Sequence, residues 1–398
     1  MLKAADALAE AGYEVRMVSA RYMDWAWQAD QDVRRTRSWK WTVVNYDRWQ
    51  GTTQYFRSGA RFRSAKFLAK FAGPSRCPLG LAANAYSRAH EELLKAILNE
   101  PADLVYGGTA GALAAVALAA AREGVPYALD LEDFHSAEHR DDAEGHLFGR
   151  LAERIERRIL PGAAMLTTAG SAMGAAYEQE YGVHAVTVNN THPLPSVPPD
   201  LSPSSTPGLR LYWFGQTVGP DKGLDTLIRA VGLARITVQL HIRGRAEPRA
   251  LEGLRRMAGN CAPSLDIIHH EPVPPDSLVE SCKGYDVGLA SFDPSSSYNC
   301  QIAAPNKPCT YILGGLAVAI SDTPGQRPLG LDLGEGAIFH RLGDADALAA
   351  GLKRWADDKS LLARAKAAAW DAAKRRWHWE HPLERGALLR AVAAVFQQ

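Results

Sequence analysis

Apolar residues fall into two alternating patterns along the chain. Short runs rich in aliphatic and aromatic residues occur at Val15–Ala20, Asp103–Tyr106, Tyr127–Leu131, Met165–Thr168 and Ala185–Val188. Between several of them lie longer segments with apolar residues every three or four positions: Leu2–Ala11, Tyr86–Glu100, Ala112–Glu123 and Leu147–Leu160. The short runs read as strands and the spaced segments as helices. Strands separated by helix-length crossovers predict a parallel sheet with helices on both faces.

The alternation stops at Thr191–Gly208, where six prolines accompany little apolar weight, as in a linker. It then restarts with strands at Leu209–Phe214, Thr237–Ile242, Leu265–His270, Asp286–Ser291 and Ala317–Ser321. Helices are expected at Leu224–Ala234, Arg249–Ala258, Asp276–Cys282 and Thr310–Gly315, then at Asp346–Asp357, Leu361–Arg376 and Leu383–Phe396. The expected organisation is a domain over 1–190, a linker over 191–208 and a domain over 209–379, with the last helix (about 380–398) packed back on the first domain. Two doubly wound halves would face each other across a cleft, with ligands beyond the carboxyl ends of the strands. The first half opens on a helix where a doubly wound domain opens on a strand and a glycine turn. Its first strand is therefore expected to be missing from the chain.

Composition changes the picture only in places. The 398 residues are 46% hydrophobic and 22% charged, ample for two cores. No apolar run reaches the roughly 18 residues that span a bilayer. Five cysteines without a C-x-x-C pair argue against a disulfide framework or zinc site and suit a reducing cytoplasm. The net charge of +1 hides an asymmetry, because Val33–Arg76 carries eleven basic residues and one acid, Asp47. That +10 leaves −9 for the rest, and five of the ten tryptophans (Trp25, Trp27, Trp39, Trp41, Trp49) lie in or just before the segment. A basic, tryptophan-rich patch suits an anionic membrane surface or anionic acceptor, or is simply a solvated face with core tryptophans. Nucleic acid is disfavoured, because no binding motif accompanies the patch.

Candidate chemistry concentrates at turns. GQTVGPDKGLD (Gly215–Asp225) follows a strand and enters a helix, aiming backbone N–H groups and Lys222 at an anion. Its order is not that of a Walker loop. Ala303–Gln326 adds a Pro305-Asn306-Lys307 turn, a Gly314-Gly315 pair and an Asp322-Thr323-Pro324-Gly325 turn. Together these segments resemble the donor half of retaining GT-B glycosyltransferases of the family 4 group. Their G-R-x-x-x-P-x-K-G loop is matched by Gly215, Gln216, Pro220, Lys222 and Gly223, with glutamine at the arginine position. Thr310 falls where the family has a ribose-binding glutamate, and Ile302 where many members carry another acid. The resemblance runs from Leu2 to about Trp379. It implies that Gly215, Gln216, Lys222, Asn306, Lys307 and Thr310 bind the donor, with the nucleobase between turns at Gly244 and Val273. Ser291–Asn299 would approach the donor sugar or phosphates.

In the first half, Gly107, Gly108 and Thr109 open a helix after a strand and are expected on the acceptor side; close strand–helix packing explains the glycines equally well. Leu129–His139 carries an E-D-x-H cluster, and similar enzymes have a D-x-H-[DE]-like segment there. By that register Glu132 and Asp133 face the reaction centre, with His135 one step out. His139, Asp141, Asp142 and His146 show no metal-ligand spacing, and the resemblance implies no metal and no cofactor. The reading is a cytoplasmic transferase, possible also at a membrane face, that moves a sugar from a nucleoside diphosphate sugar to an acceptor hydroxyl with retention. A non-catalytic binding or scaffold subunit is the alternative, favoured by Gln216, Ile302 and Thr310. A sugar-nucleotide epimerase would need a pair of acids that the sequence does not show.

Overall fold

A computed structural model describes residues 1–21, 24–49, 51–139, 141–219, 222–292 and 297–397. The chain divides into two compact units, Met1–Val188 with Arg385–Gln398, and Asn189–Glu384.

The first unit carries strands β1 (Arg16–Arg21), β2 (Lys40–Asn45), β3 (Val105–Gly108), β4 (Tyr127–Leu131), β5 (Met165–Thr168) and β6 (Val186–Thr187). All pairs are parallel, but they form two separate sheets, β1-β2 and β3-β4-β5-β6. The helix Arg385–Val395 packs on β5, β6 and the helix Leu2–Glu10. Tyr13 stacks on Phe396 at 5.9 Å, fixing that return.

The second unit holds β7 (Leu209–Val218), β8 (Val238–Ala246), β9 (Leu265–His270), β10 (Val287–Ala290), β11 (Ala317–Ser321) and β12 (Ala337–His340) in one parallel sheet, ordered β12-β11-β10-β7-β8-β9. Every residue of β10 and β11 is buried, as continuous apolar runs in a sheet covered on both faces should be. Alternate residues of β7 enter opposite cores. Leu211 and Trp213 pack with Ile228, Val231 and Leu240, while Tyr212 and Phe214 pack with Tyr311 and Ile312. The proline-rich segment before β7 lies along this unit. Lys366 Nζ donates to Ser202 O at 3.0 Å and Lys359 Nζ to Gly208 O at 2.7 Å, while Asp286 accepts from the Ser204 amide at 2.7 Å.

Several elements differ from expectation. Residues 276–282 form two short 3-10 turns, Pro275–Ser277 and Glu280–Cys282, because prolines at 272, 274 and 275 remove amide donors and Gly284 turns the chain at φ +83°. β7 runs on to Val218 through an irregularity between Phe214 and Thr217, so Gly215 and Gln216 belong to the strand rather than to the turn. β2, β12 and the helices Thr52–Ala72 and Ser171–Tyr181 were not expected. The long helix Thr52–Ala72 spreads its apolar and basic residues around all sides, so no stripe marks it. No helix among the described residues is long and apolar enough to cross a membrane.

Candidate functional site

At the carboxyl edge of the second unit's sheet, two helices begin without side-chain caps. They are Leu224–Ala234 after Gly223, and Asn306–Leu313 after Pro305. Uncapped first-turn amides leave positive partial charge for an anion. Gly223 sits at φ +71°, and a Cβ there would lie 2.6 Å from Ser291 O, so only glycine lets this loop close against the end of β10. Lys222 beside it is exposed. Lys307 lies half-buried over the rings of Trp213 (5.5 Å) and Phe214 (6.0 Å). Burial, and then the neighbouring charge of Lys222, push the Lys307 ammonium down to about 8; Cys300 opposes the shift. Among the described residues no carboxylate pairs with either lysine. Two cations and two uncapped helix starts at one sheet edge are the positive charge that an anion needs. Pro220 of the same motif and 293–296 of the polar loop lie outside the described residues.

Of the two turns expected to hold a nucleobase, the one at Val273 follows β9, but Gly244 lies inside β8, whose pairing with β7 continues to Ala246. Gly244 adopts φ +149°, and a Cβ there would meet Gly215 O at 2.3 Å. Arg243 donates to Glu271 O at 2.7 Å, and His269 Nε2 lies 2.7 Å from Gly244 O. Together they fix the backbone that leads to half-buried Val273. Gln216 is exposed at the end of β7. Thr310 is fully buried, and its hydroxyl donates to Asn306 O at 2.9 Å within its own helix. Ile302 is likewise buried.

In the first unit, β3 and β4 are paired, so Gly107–Thr109 and Glu132–Asp133 emerge at the same sheet edge. A Cβ on Gly107 would strike Val116 at 2.4 Å, and one on Gly108 would sit 3.2 Å from Asp130, so close packing explains both glycines. Thr109 adopts φ +67°, a strained geometry for a β-branched residue, and is exposed. Burial, then the neighbouring Asp130 and Asp133, raise the Glu132 pKa, against the opposing chain amino group 3.9 Å away. His135 is not at the surface. It is 2% exposed, with Nδ1 3.3 Å from Glu138 Oε2. Burial disfavours its charge, but the Glu138 bond and the carboxylates of Glu156, Glu138 and Asp133 prevail and raise its pKa.

Beneath this loop lies a cluster that no sequence signal announced. Buried Glu156 accepts from Tyr177 (2.7 Å) and Tyr181 (2.6 Å), and its pKa is raised by burial. The Tyr177 hydroxyl also lies 2.9 Å from the carbonyl of Asp133. Tyr86 donates to Glu138 at 3.2 Å. Glu156 reads in sequence as one charge among many on a surface helix; only packing brings it under residues 133–138.

The basic segment also resolves. Trp39 is buried with Nε1 donating to Asp6, Trp41 donates to Ser19, and Trp27 lies against Arg21. Of the four tryptophans of this segment whose side chains are described, only Trp49 is broadly exposed, which favours core tryptophans over a tryptophan-rich face. Exposed Phe56, Phe67, Leu68 and Phe71 on the helix Thr52–Ala72 take its place, beside Arg57, Arg63 and Lys70. Arg61 and Lys66 are instead paired with Glu92 and Glu144.

Residues 1–191 match the family model described as a glycosyl transferase 4-like domain. No curated protein matches the chain by sequence. Among solved structures, the chain is similar to HepE of Anabaena in complex with UDP and glucose, at 16% identity and a TM-score of 0.61, covering 100% of this chain and 95% of that one. It is also similar to sucrose-phosphate synthase of Thermosynechococcus elongatus, at 13% identity and TM-score 0.63, covering 99% and 91%. A glycosyltransferase of Rickettsia africae matches at 11% identity and TM-score 0.61, covering 100% and 93%. These likenesses establish the shared fold, GT-B, with two Rossmann-like units.

Proposed function

We propose that this chain, a GT-B protein whose first 191 residues match a glycosyl transferase 4-like domain, transfers a sugar from a nucleoside diphosphate sugar to an acceptor hydroxyl with retention. The observation that carries the reading is the unpaired Lys222–Lys307 couple at two uncapped helix termini. A departing diphosphate needs such preorganised positive charge, which acts most strongly on the charge that develops as the glycosidic bond breaks. A diphosphate there restores the proton that Lys307 holds weakly in its absence. Gly215, Gln216 and Asn306 line the same edge, and the backbone at Gly244 and Val273 reads the base. The presence of UDP in the Anabaena HepE structure supports a nucleoside diphosphate as the ligand class.

In this reading a diphosphate oxygen takes the acceptor proton as the new bond forms, and Asp133 or Glu132 orients the acceptor. Thr109, Gly107 and Gly108 shape that side. His135 sets the loop from below rather than touching substrate. The lysines do the charge neutralisation, so no metal is required and chelation should leave turnover intact.

Titration calorimetry with a panel of nucleoside diphosphates tests the assignment. One member binding at micromolar strength, and slow release of nucleoside diphosphate from its sugar conjugate in EDTA, are expected. No binding by any member would refute it. Binding without release would instead favour a non-catalytic subunit, the reading that the buried Thr310 hydroxyl and Ile302 support.

The exposed aromatics of the helix Thr52–Ala72 and its free basic residues support a cytoplasmic protein resting on an anionic membrane face. Sedimentation with anionic vesicles at low salt, and release near 0.5 M salt where screening acts within about 4 Å, are expected. Replacing Arg57, Arg63 and Lys70 with Gln should abolish it, each charge contributing about 1 kcal/mol. A parent chain that ignores such vesicles would leave a soluble anionic acceptor as the role of the patch.

A further inference from the structure

Arg88 lies in the turn between the helices Leu79–Tyr86 and His90–Leu98 and reaches across to the helix Thr52–Ala72. Its Nε donates to Ser58 Oγ at 2.9 Å, its Nη2 donates to the carbonyl of Tyr55, and its guanidinium lies 4.0 Å over the Tyr55 ring. Ser58 is completely buried, so these contacts hold Arg88 in one place. Arg63 comes to the same spot from the helix. A Cβ on Gly59 would lie 3.2 Å from Arg88 Nη2 and 3.5 Å from Arg63 Nη1, so the two guanidiniums meet over a position that carries no side chain.

No counter-ion accompanies them. The carboxylate on this side, Glu92, is already held by Arg61 Nη1 at 2.9 Å and by the Tyr46 hydroxyl at 2.8 Å. Among the described residues no carboxylate pairs with Arg63 or Arg88, and no acceptor is bonded to Arg88 Nη1. Two like charges held this close repel each other. The repulsion turns into affinity when an anion arrives, because Arg88 is already positioned and loses little freedom on binding.

The geometry also selects the anion. A carboxylate offers two oxygens in one plane, which a single guanidinium can satisfy. A phosphate monoester offers three terminal oxygens in different directions and carries close to two negative charges at pH 7, so it can engage two guanidiniums that arrive from separate elements. The couple stands on the helices that flank the acceptor edge, apart from the network around Glu156. Ser87, next to Arg88, places its hydroxyl 3.1 Å from where a Cβ of Gly111 would lie, at the start of the helix that follows Thr109. Tyr86, two residues before Arg88, bonds Glu138 of the loop after Asp133.

We infer that Arg63 and Arg88 form a phosphate-binding subsite of the first unit, which holds the phosphate ester of the acceptor. That the ligand is an acceptor rests on the proposed transfer; the phosphate subsite itself does not.

Calorimetric titration of the full chain with glycerol phosphate, with glycerol as the uncharged control, tests it. The ester should bind the parent and glycerol should not. Arg63→Gln, at an exposed position with no partner to lose, should raise the ester's Kd about tenfold or more. Arg88→Lys keeps the charge but loses the planar fork and should do the same, with an unchanged melting temperature showing that the variant is folded. Two control pairs should change the ester's Kd far less: Arg57→Gln with Lys70→Gln, which thins the same basic surface, and Lys222→Ala with Lys307→Ala, at the edge of the second unit.

The inference is overturned if the ester binds the parent no better than glycerol, or if Arg63→Gln binds it as tightly as the parent. It is also overturned if either control pair weakens binding as far as Arg63→Gln does. Vesicles containing phosphatidate separate the two sources of such a group. Capture by the vesicles that is lost in Arg63→Gln and that glycerol phosphate barely displaces makes the ester a lipid headgroup; ready displacement makes it a soluble molecule, and both agree with the subsite. Ester binding without any nucleoside diphosphate binding would refute the proposed transfer and keep the subsite, and the reverse result would refute the subsite alone.

Discussion

The two units treat charge at their sheet edges in opposite ways. The second leaves Lys222 and Lys307 without carboxylate partners and lets them push against each other. The first ties His135, Glu138, Glu156 and three tyrosines into one internal network below the loop that carries Glu132 and Asp133. Unpaired charge is a poor way to stabilise a fold and a good way to wait for a ligand. A buried hydrogen-bonded network, here complete except for His135 Nε2, does the reverse, since it specifies one loop geometry and penalises others. On the proposed function, the contrast puts ligand affinity in the second unit and loop placement in the first.

The largest effect should come from breaking the network. Glu156→Ala strands two tyrosine hydroxyls and removes a carboxylate that raises the His135 pKa, and losses on breaking buried charged sets run to about 3–5 kcal/mol. Denaturant unfolding followed by first-unit amide exchange should show that loss there, with second-unit exchange unchanged. Equal loss in both units would dissolve the distinction.

Titration sharpens it, because the two units should respond to pH with opposite signs. The raised pKa of His135 means the folded chain keeps the proton longer than the unfolded chain. Its stabilising contribution is therefore complete below pH 6.5 and is lost as pH rises through the raised value. Lys307 titrates near 8 instead of 10.5, so the unfolded chain binds the extra proton between those values, and stability rises with pH across that window. Lys307→Met should abolish that rise and add on the order of 2 kcal/mol at pH 7, while weakening nucleoside diphosphate binding. A variant that loses both stability and affinity would mean that the lysine is structural.

The smallest effect concerns strain. Thr109→Gly places a permissive residue at φ +67° and should raise stability by about 0.5–1 kcal/mol, read as a modest increase in melting temperature.

The same contrast explains what could be read from sequence. The second unit's site is written locally: a glycine turn with Lys222, then a Pro-Asn-Lys helix start, each within a few residues of a strand end. Its central strands β10 and β11 are buried apolar runs, and β9 and β11 matched their expected spans. Length failed where tertiary contact decides it, as in β7, whose continuation beside β8 carries Gly215 and Gln216 into the sheet. Thr310 was placed by register, but its hydroxyl turns into its own helix, which register cannot reveal. In the first unit Glu132 and Asp133 stood out because they follow a strand. Glu156, Tyr177 and Tyr181 did not, since their hydrogen bonds join residues 21 and 25 positions apart on two different helices.

The central claim is that the lysine pair binds a diphosphate, and it is tested most directly by calorimetry on Lys222→Ala, Lys307→Ala and the double variant. Each charge-assisted contact is worth about 1.5–3 kcal/mol, so each single change should raise the nucleoside diphosphate Kd about ten- to a hundredfold, with a larger rise in the double variant. The free nucleoside, which lacks phosphates, should bind parent and variants alike. A nucleoside affinity that falls as far as the nucleoside diphosphate affinity would contradict the account, as would a nucleoside diphosphate that binds the double variant as tightly as the parent.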